Sequence, residues 1–191
     1  MPGWELIGVE ERRAVMDVFE VAPPTPLFTN KQTVRAFEQA FAASLGVADA
    51  VAVSSGTAAL KVGLTALGVG RGDEVITQAH TFVATVEAIV ECGATPVIAE
   101  IDESLNMDPL DLRKKITSKT KVVLPVHMLG AAARMNEILT IAKEARCGVL
   151  EDTAQAFQGT YRGWRLGTLG DVGIFSFSYS KLLPTGEGGM V

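Results

Sequence analysis

Glu74-Val75-Ile76-Thr77, then Thr81 through Cys92, then Pro96 through Ile101 are the runs that decide the fold class. The first is short, apolar and β-branched, and it follows the turn Gly70-Arg71-Gly72-Asp73. The second reads as a helix that stops at Gly93. The third is again short and apolar, with Pro96 at its start, where a missing N–H costs least. Strand, helix and strand joined by short loops predict a parallel βαβ unit.

The alternation continues on both sides. Upstream, Val34, Phe37, Phe41 and Leu45 share a helical face ended by Gly46; Ala50 to Val53 reads as a strand and Thr57 to Leu67 as a helix closed by Gly68. Downstream, Asp108-Pro109 opens a helix to about Ile116, with aspartate as cap and proline in the first turn. Lys121 to Val126 reads as a strand, Met135 to Arg146 as a helix, Gly148 to Asp152 as a strand and Val172 to Ser178 as another. The apolar runs do not strictly alternate, as expected of strands buried on both faces. The fold class is therefore α/β, a mainly parallel sheet sandwiched by helices.

Residues 1–30 read as an N-terminal arm and first helix, in which the proline-rich stretch 21–30 is expected to be extended; residues 31–191 read as the main domain. Gly186-Glu187-Gly188-Gly189-Met190-Val191 reads as a turn entering a strand, so the domain is expected to be incomplete at its C-terminal end.

The 191 residues are 48% hydrophobic and 20% charged, the balance of an ordinary globular chain. A net charge of −5 with no basic run argues against nucleic acid as a partner. No apolar run approaches a membrane span and no basic flank precedes an apolar stretch at the N-terminus, which points to a cytoplasmic protein. Cys92 and Cys147 are expected to be buried free thiols. His80 and His127 lack metal-ligand spacing, so no metal is expected.

Four segments carry chemistry. Ser54-Ser55-Gly56-Thr57, between a strand and a helix, offers free N–H groups and hydroxyls to a phosphate, although such a turn is commonly only a cap. Glu151-Asp152-Thr153-Ala154-Gln155 ends an apolar strand at the edge where open α/β sheets bind ligands. Asp152 there needs a cation or several donors, or else is an N-cap. Ser176 to Lys181 places a lysine in a hydroxyl-rich loop; alone it is a solvated surface residue. His80 to Thr85 opens a helix, and Phe82, which could lie against an aromatic ligand, is by default a core phenylalanine.

Taken in order, these segments resemble the DegT/DnrJ/EryC1/StrS family of sugar aminotransferases, which have the aspartate aminotransferase fold, fold type I. The resemblance rests on Val53 to Leu60, Gly72 to Ile76, Thr81 to Thr85, Gly93 to Val97, Pro125 to His127, Glu151 to Gln155 and Gly186 to Met190. It implies a large domain that binds pyridoxal 5′-phosphate, with the small C-terminal domain absent. Lys181 matches the lysine that holds the cofactor, Asp152 the acid paired with the pyridine nitrogen, and Gln155 the amide on the phenolic oxygen. Gly56, Thr57 and Ser176 match phosphate contacts, Phe82 matches the aromatic stacked on the ring, and His127 lies behind the site. The catalytic residues implied are Lys181 and Asp152.

The implied reaction is amino transfer from a small-molecule donor, glutamate, to a nucleotide-linked keto-sugar, within a homodimer. Leu182 stands where the family often has asparagine, and Met128-Leu129-Gly130 where many members have Leu-Tyr-Gly, which bears on subgroup and substrate. Some members are sugar dehydratases with histidine at the lysine position, and Lys181 argues against that alternative. A non-catalytic binding or regulatory protein on the same scaffold would not need Lys181, Asp152 and Gln155 together. A nucleotide-binding protein using Ser54 to Thr57 lacks the glycine and lysine signatures of such loops.

Overall fold

A computed structural model of the protein describes residue 5, residues 7–20 and residues 31–191. The proline-rich stretch 21–30 lies outside the described residues. Helices α1 (Val9–Glu20) and α2 (Lys31–Leu45) precede β1 (Ala52–Val53), α3 (Gly56–Ala66), β2 (Glu74–Gln78), α4 (Val83–Glu91), β3 (Thr95–Ala99) and α5 (Pro109–Lys115). Then come β4 (Thr120–Leu124), a 3-10 turn (Met128–Gly130), α6 (Met135–Ala145), β5 (Gly148–Asp152), β6 (Thr160–Tyr161), β7 (Trp164–Arg165), β8 (Val172–Ser176) and β9 (Gly189–Met190).

Seven strands form one sheet in the order β1-β9-β8-β5-β4-β2-β3. Every pair from β8 to β3 is parallel, and β9 runs antiparallel to both its neighbours. Successive residues of each central strand face opposite cores. Val75, Val122, Leu124, Leu150 and Ile174 pack with α3 and α4, while Ile76, Val123 and Val149 pack with α5 and α6. Phe37 and Phe41 of α2 meet Phe175, Phe177 and Met190 in a third cluster. Both faces are buried, which is why the strands read as apolar runs rather than alternating ones.

The helix boundaries follow local chemistry. The Ser55 side chain accepts from the Ala58 N–H to start α3, and the Asp108 side chain accepts from the Leu110 N–H with Pro109 as the first helical residue of α5. The helix expected from Thr81 begins two residues later, with Phe82 as an extended cap residue. The strand expected to reach Ser178 stops at Ser176; beyond it Phe177 donates its N–H to the Gly188 carbonyl and Ser178 pairs with Gly186. The β6–β7 hairpin was not among the expected elements. Its turn, Arg162-Gly163, has positive φ at both residues (51° and 88°), the geometry that suits a two-residue hairpin. Cys92 and Cys147 are free but only partly buried; burial still pushes the Cys147 thiol upward.

Leu64 of α3 is fully buried against the central strands. Leu64→Ala is expected to lower unfolding free energy by about 2–5 kcal/mol in urea titration, with little change in the slope.

Candidate active site

The parallel strands direct their C-terminal ends toward one cleft of about 410 Å³, within the range of small-ligand sites. It is bordered by Gly56, Thr57, Phe82, Asp152, Gln155, Ser176 and Lys181, so the structure brings together every residue singled out from the sequence as a cofactor contact.

Gly56 and Thr57 open α3, whose first N–H groups have no partner within the helix. A Cβ on Gly56 would lie 2.7 Å from Ser176 Cβ. Only glycine lets the helix start press against the end of β8, which puts the N–H groups and the Ser176 hydroxyl at one end of the cleft. The same packing recurs in β9, where a Cβ on Gly189 would collide with the Ser55 carbonyl. Gly189 is thus needed by the turn that leads into α3.

Asp152 ends β5 and is 4% exposed. Its Oδ1 accepts from the Ala154 N–H at 3.1 Å and its Oδ2 from the Thr85 hydroxyl at 3.1 Å. Burial pushes the carboxyl above the ordinary carboxylate range; the Ala154 and Thr85 hydrogen bonds and the nearby His127 and Lys181 oppose that shift. The N-cap reading of Asp152 accounts for one oxygen only. Lys181 sits in the turn after β8, where its N–H donates to the Ser178 carbonyl. Its amine makes no hydrogen bond or ion pair among the described residues.

Gln155 Oε1 accepts from the Leu129 N–H at 3.1 Å, holding an exposed residue at φ 53°. Gln155 Nε2 reaches only the weak acceptor Met128 Sδ at 3.8 Å, which leaves donor capacity toward the cleft. Phe82 is 65% exposed, which corrects the default reading of a core side chain; its ring stands free at the cleft wall.

His127 and Glu151 are both fully buried. His127 Nδ1 accepts from the Ala133 N–H at 3.1 Å, so the ring proton is on Nε2 and is donated to Glu151 Oε2 at 3.0 Å. Glu151 also accepts from the N–H groups of Gly167, Leu169 and Gly170. The pair ties the turns after β4 and before β8 together and does not border the cleft. Thr85 was missed as a site residue. Its signal was present in the quoted run, where Thr81 and Thr85 are spaced to share one helical face.

Against known proteins, residues 9–191 match the DegT/DnrJ/EryC1/StrS aminotransferase family. The chain is 46% identical over 187 residues to the spore coat polysaccharide biosynthesis protein SpsC of Bacillus subtilis, covering 97% of this chain and 47% of that protein. It is 44% identical over 156 residues to the GDP-perosamine synthase of Caulobacter vibrioides, covering 81% and 42%. Among solved structures, the aminotransferase from Psychrobacter cryohalolentis superposes with a TM-score of 0.89 at 37% identity, covering 96% of this chain and 47% of that one. The protein therefore belongs to the DegT/DnrJ/EryC1/StrS aminotransferase family, enzymes of the pyridoxal-phosphate aminotransferase fold. The chain spans about half the length of the curated relatives it matches.

Pyridoxal phosphate is the cofactor of this family, and a relative has been solved in both its pyridoxal and pyridoxamine phosphate forms. The residues present fit it. Among the described residues, Asp152 is a buried carboxyl with no bonded cation, the α3 start is open to an anion, and the Lys181 amine has no hydrogen-bond or ion-pair partner.

Burial favours the neutral form of Asp152, so its contribution to stability is full below the ordinary value near 3.9 and is lost as pH rises through its higher folded value. In the cofactor-free protein, Asp152→Asn is expected to gain stability over wild type as pH rises across that window, read from urea midpoints at stepped pH. A stability difference that does not change with pH would show that Asp152 is not desolvated.

Proposed function

We propose that the protein holds pyridoxal 5′-phosphate on Lys181 and transfers an amino group from glutamate to a nucleotide-linked keto-sugar. The observation that carries this reading is the placement of Lys181, Asp152 and the start of α3 around one cleft at the sheet's C-terminal edge. The acceptor class is supported by relatives named GDP-perosamine synthase from three organisms. An amino-acid donor is supported by a relative named putative L-glutamine:3-amino-2,3-dideoxy-scyllo-inosose aminotransferase. Lysine rather than histidine at position 181 supports transamination over dehydration.

Each residue has a definable task. Gly56 and Thr57 N–H groups and the Ser176 hydroxyl bind the phosphate, whose charge is stabilised by the α3 N-terminus. Asp152 keeps the ring nitrogen protonated through charge. Gln155 donates from Nε2 to the phenolic oxygen, and Phe82 covers one face of the ring. The bound cofactor supplies an electron sink for negative charge at the donor's α-carbon. Lys181 Nζ, once free, would take the proton from the donor's α-carbon as base and deliver it as acid to C4′ of the cofactor.

We further propose that residues 31–191 are the cofactor-binding part of a homodimeric cytoplasmic enzyme. No helix among the described residues is long and apolar enough to cross a membrane.

Incubation with pyridoxal phosphate, borohydride reduction and peptide mass analysis should place a pyridoxyl group on Lys181, and Lys181→Ala should abolish the label. A label confined to other lysines overturns the assignment. In a protein with measurable turnover, Lys181→Ala should lower it by at least about a hundredfold.

A further inference from the structure

We propose that Thr81 and Thr85 form a one-way hydroxyl relay at the start of α4 that fixes the Asp152 carboxylate and holds its charge for the ring nitrogen, which makes Thr85 a positioning residue. The use of that charge rests on the cofactor reading above; the relay itself does not.

The Thr85 side chain is buried, at 1% exposure, and its Oγ1 donates to Asp152 Oδ2 at 3.1 Å. Thr81 Oγ1 lies 2.8 Å from Thr85 Oγ1. A threonine hydroxyl has a single proton to donate. With Asp152 ionised, the Thr85 proton is committed to the carboxylate, so Thr81 must be the donor in the contact between the two threonines. The order Thr81 to Thr85 to Asp152 follows, and each hydrogen bond polarises the next. Both threonines border the cleft, and Thr81 is only partly buried.

Among the described residues, the relay is one of two direct donors to the Asp152 side chain, the other being the Ala154 N–H on the second oxygen. Together they restrain both ends of the carboxylate. The Lys181 ammonium and the neutral His127 ring lie near it without a hydrogen bond to its side chain. A purely structural threonine would use its methyl group for packing and leave its hydroxyl replaceable. A threonine that serves the carboxylate would use the hydroxyl and tolerate loss of the methyl. Valine and serine separate these roles, since each keeps one of the two groups.

The test follows the Asp152 carboxyl by ¹³C NMR through a pH titration of the cofactor-free protein. Thr85→Val should raise its midpoint by about one pH unit, the size of a lost hydrogen bond to a charged group. Thr85→Ser should stay near wild type. Thr81→Val, at a less buried position, should shift the midpoint in the same direction by less, and it keeps the idea testable if Thr85→Val does not fold. In pyridoxal phosphate titrations, Thr85→Val should bind about tenfold more weakly than wild type. A wild-type midpoint in a folded Thr85→Val, a serine variant shifted as far as the valine variant, or no shift in Thr81→Val overturns the relay. The titration needs no cofactor. A failed cofactor reading shows separately, as wild-type protein without a label on Lys181.

Discussion

Removing a carboxylate from water at the end of a parallel strand is costly, and the arrangement around Asp152 offsets that cost only in part. The Ala154 N–H and the Thr85 hydroxyl each satisfy one oxygen, and Lys181 supplies favourable charge nearby. No cation touches the group among the described residues, and burial still pushes it above the ordinary range. A ligand that brings a protonated nitrogen to this position gains what the protein lacks. The rest of the cleft fits the same ligand: an anion site at the start of α3, a donor on Gln155, an exposed ring at Phe82 and an amine on Lys181.

The sheet makes this possible by alternation. Neighbouring residues on β5 face opposite sides, so Asp152 turns to the cleft while Glu151 turns to the far face. There Glu151 takes N–H groups from Gly167, Leu169 and Gly170 and the Nε2 proton of His127. Through Ala133, His127 steadies the turn that carries Met128 and Leu129, and these residues contact Gln155. One buried ion-dipole cluster behind the sheet therefore supports the floor and one wall of the cleft. The left-handed backbone of Leu129, unusual for a leucine, is sustained by its hydrogen bond to Gln155.

Much of this was legible in the sequence because the signals were local. Strands buried on both faces gave apolar runs, Asp108-Pro109 and Gly46 marked helix ends, and the chemistry-bearing segments stood at the strand–loop boundaries where α/β sheets place ligands. The misses have physical causes. The β6–β7 turn uses Arg162-Gly163, where arginine adopts a positive φ that its type does not advertise. Phe82 borders the cleft as the resemblance implied, but periodicity alone left it a core residue, because it stands at a helix cap where the helical face is not yet defined. The Thr85 contact with Asp152 joins two separate βα units, so the Thr81 and Thr85 spacing marked a shared face without naming the partner it meets.

On the proposed reading, Asp152 selects a ligand with a protonated ring nitrogen. The direct measurement compares the affinity of the protein for pyridoxal phosphate with that for the analogue whose ring nitrogen is replaced by C–H. Wild type should prefer pyridoxal phosphate by tenfold or more, as expected for a charge-assisted hydrogen bond of about 1.5–3 kcal/mol, and Asp152→Asn should lose most of that preference. Equal affinity of the wild-type protein for the two compounds would contradict the claim.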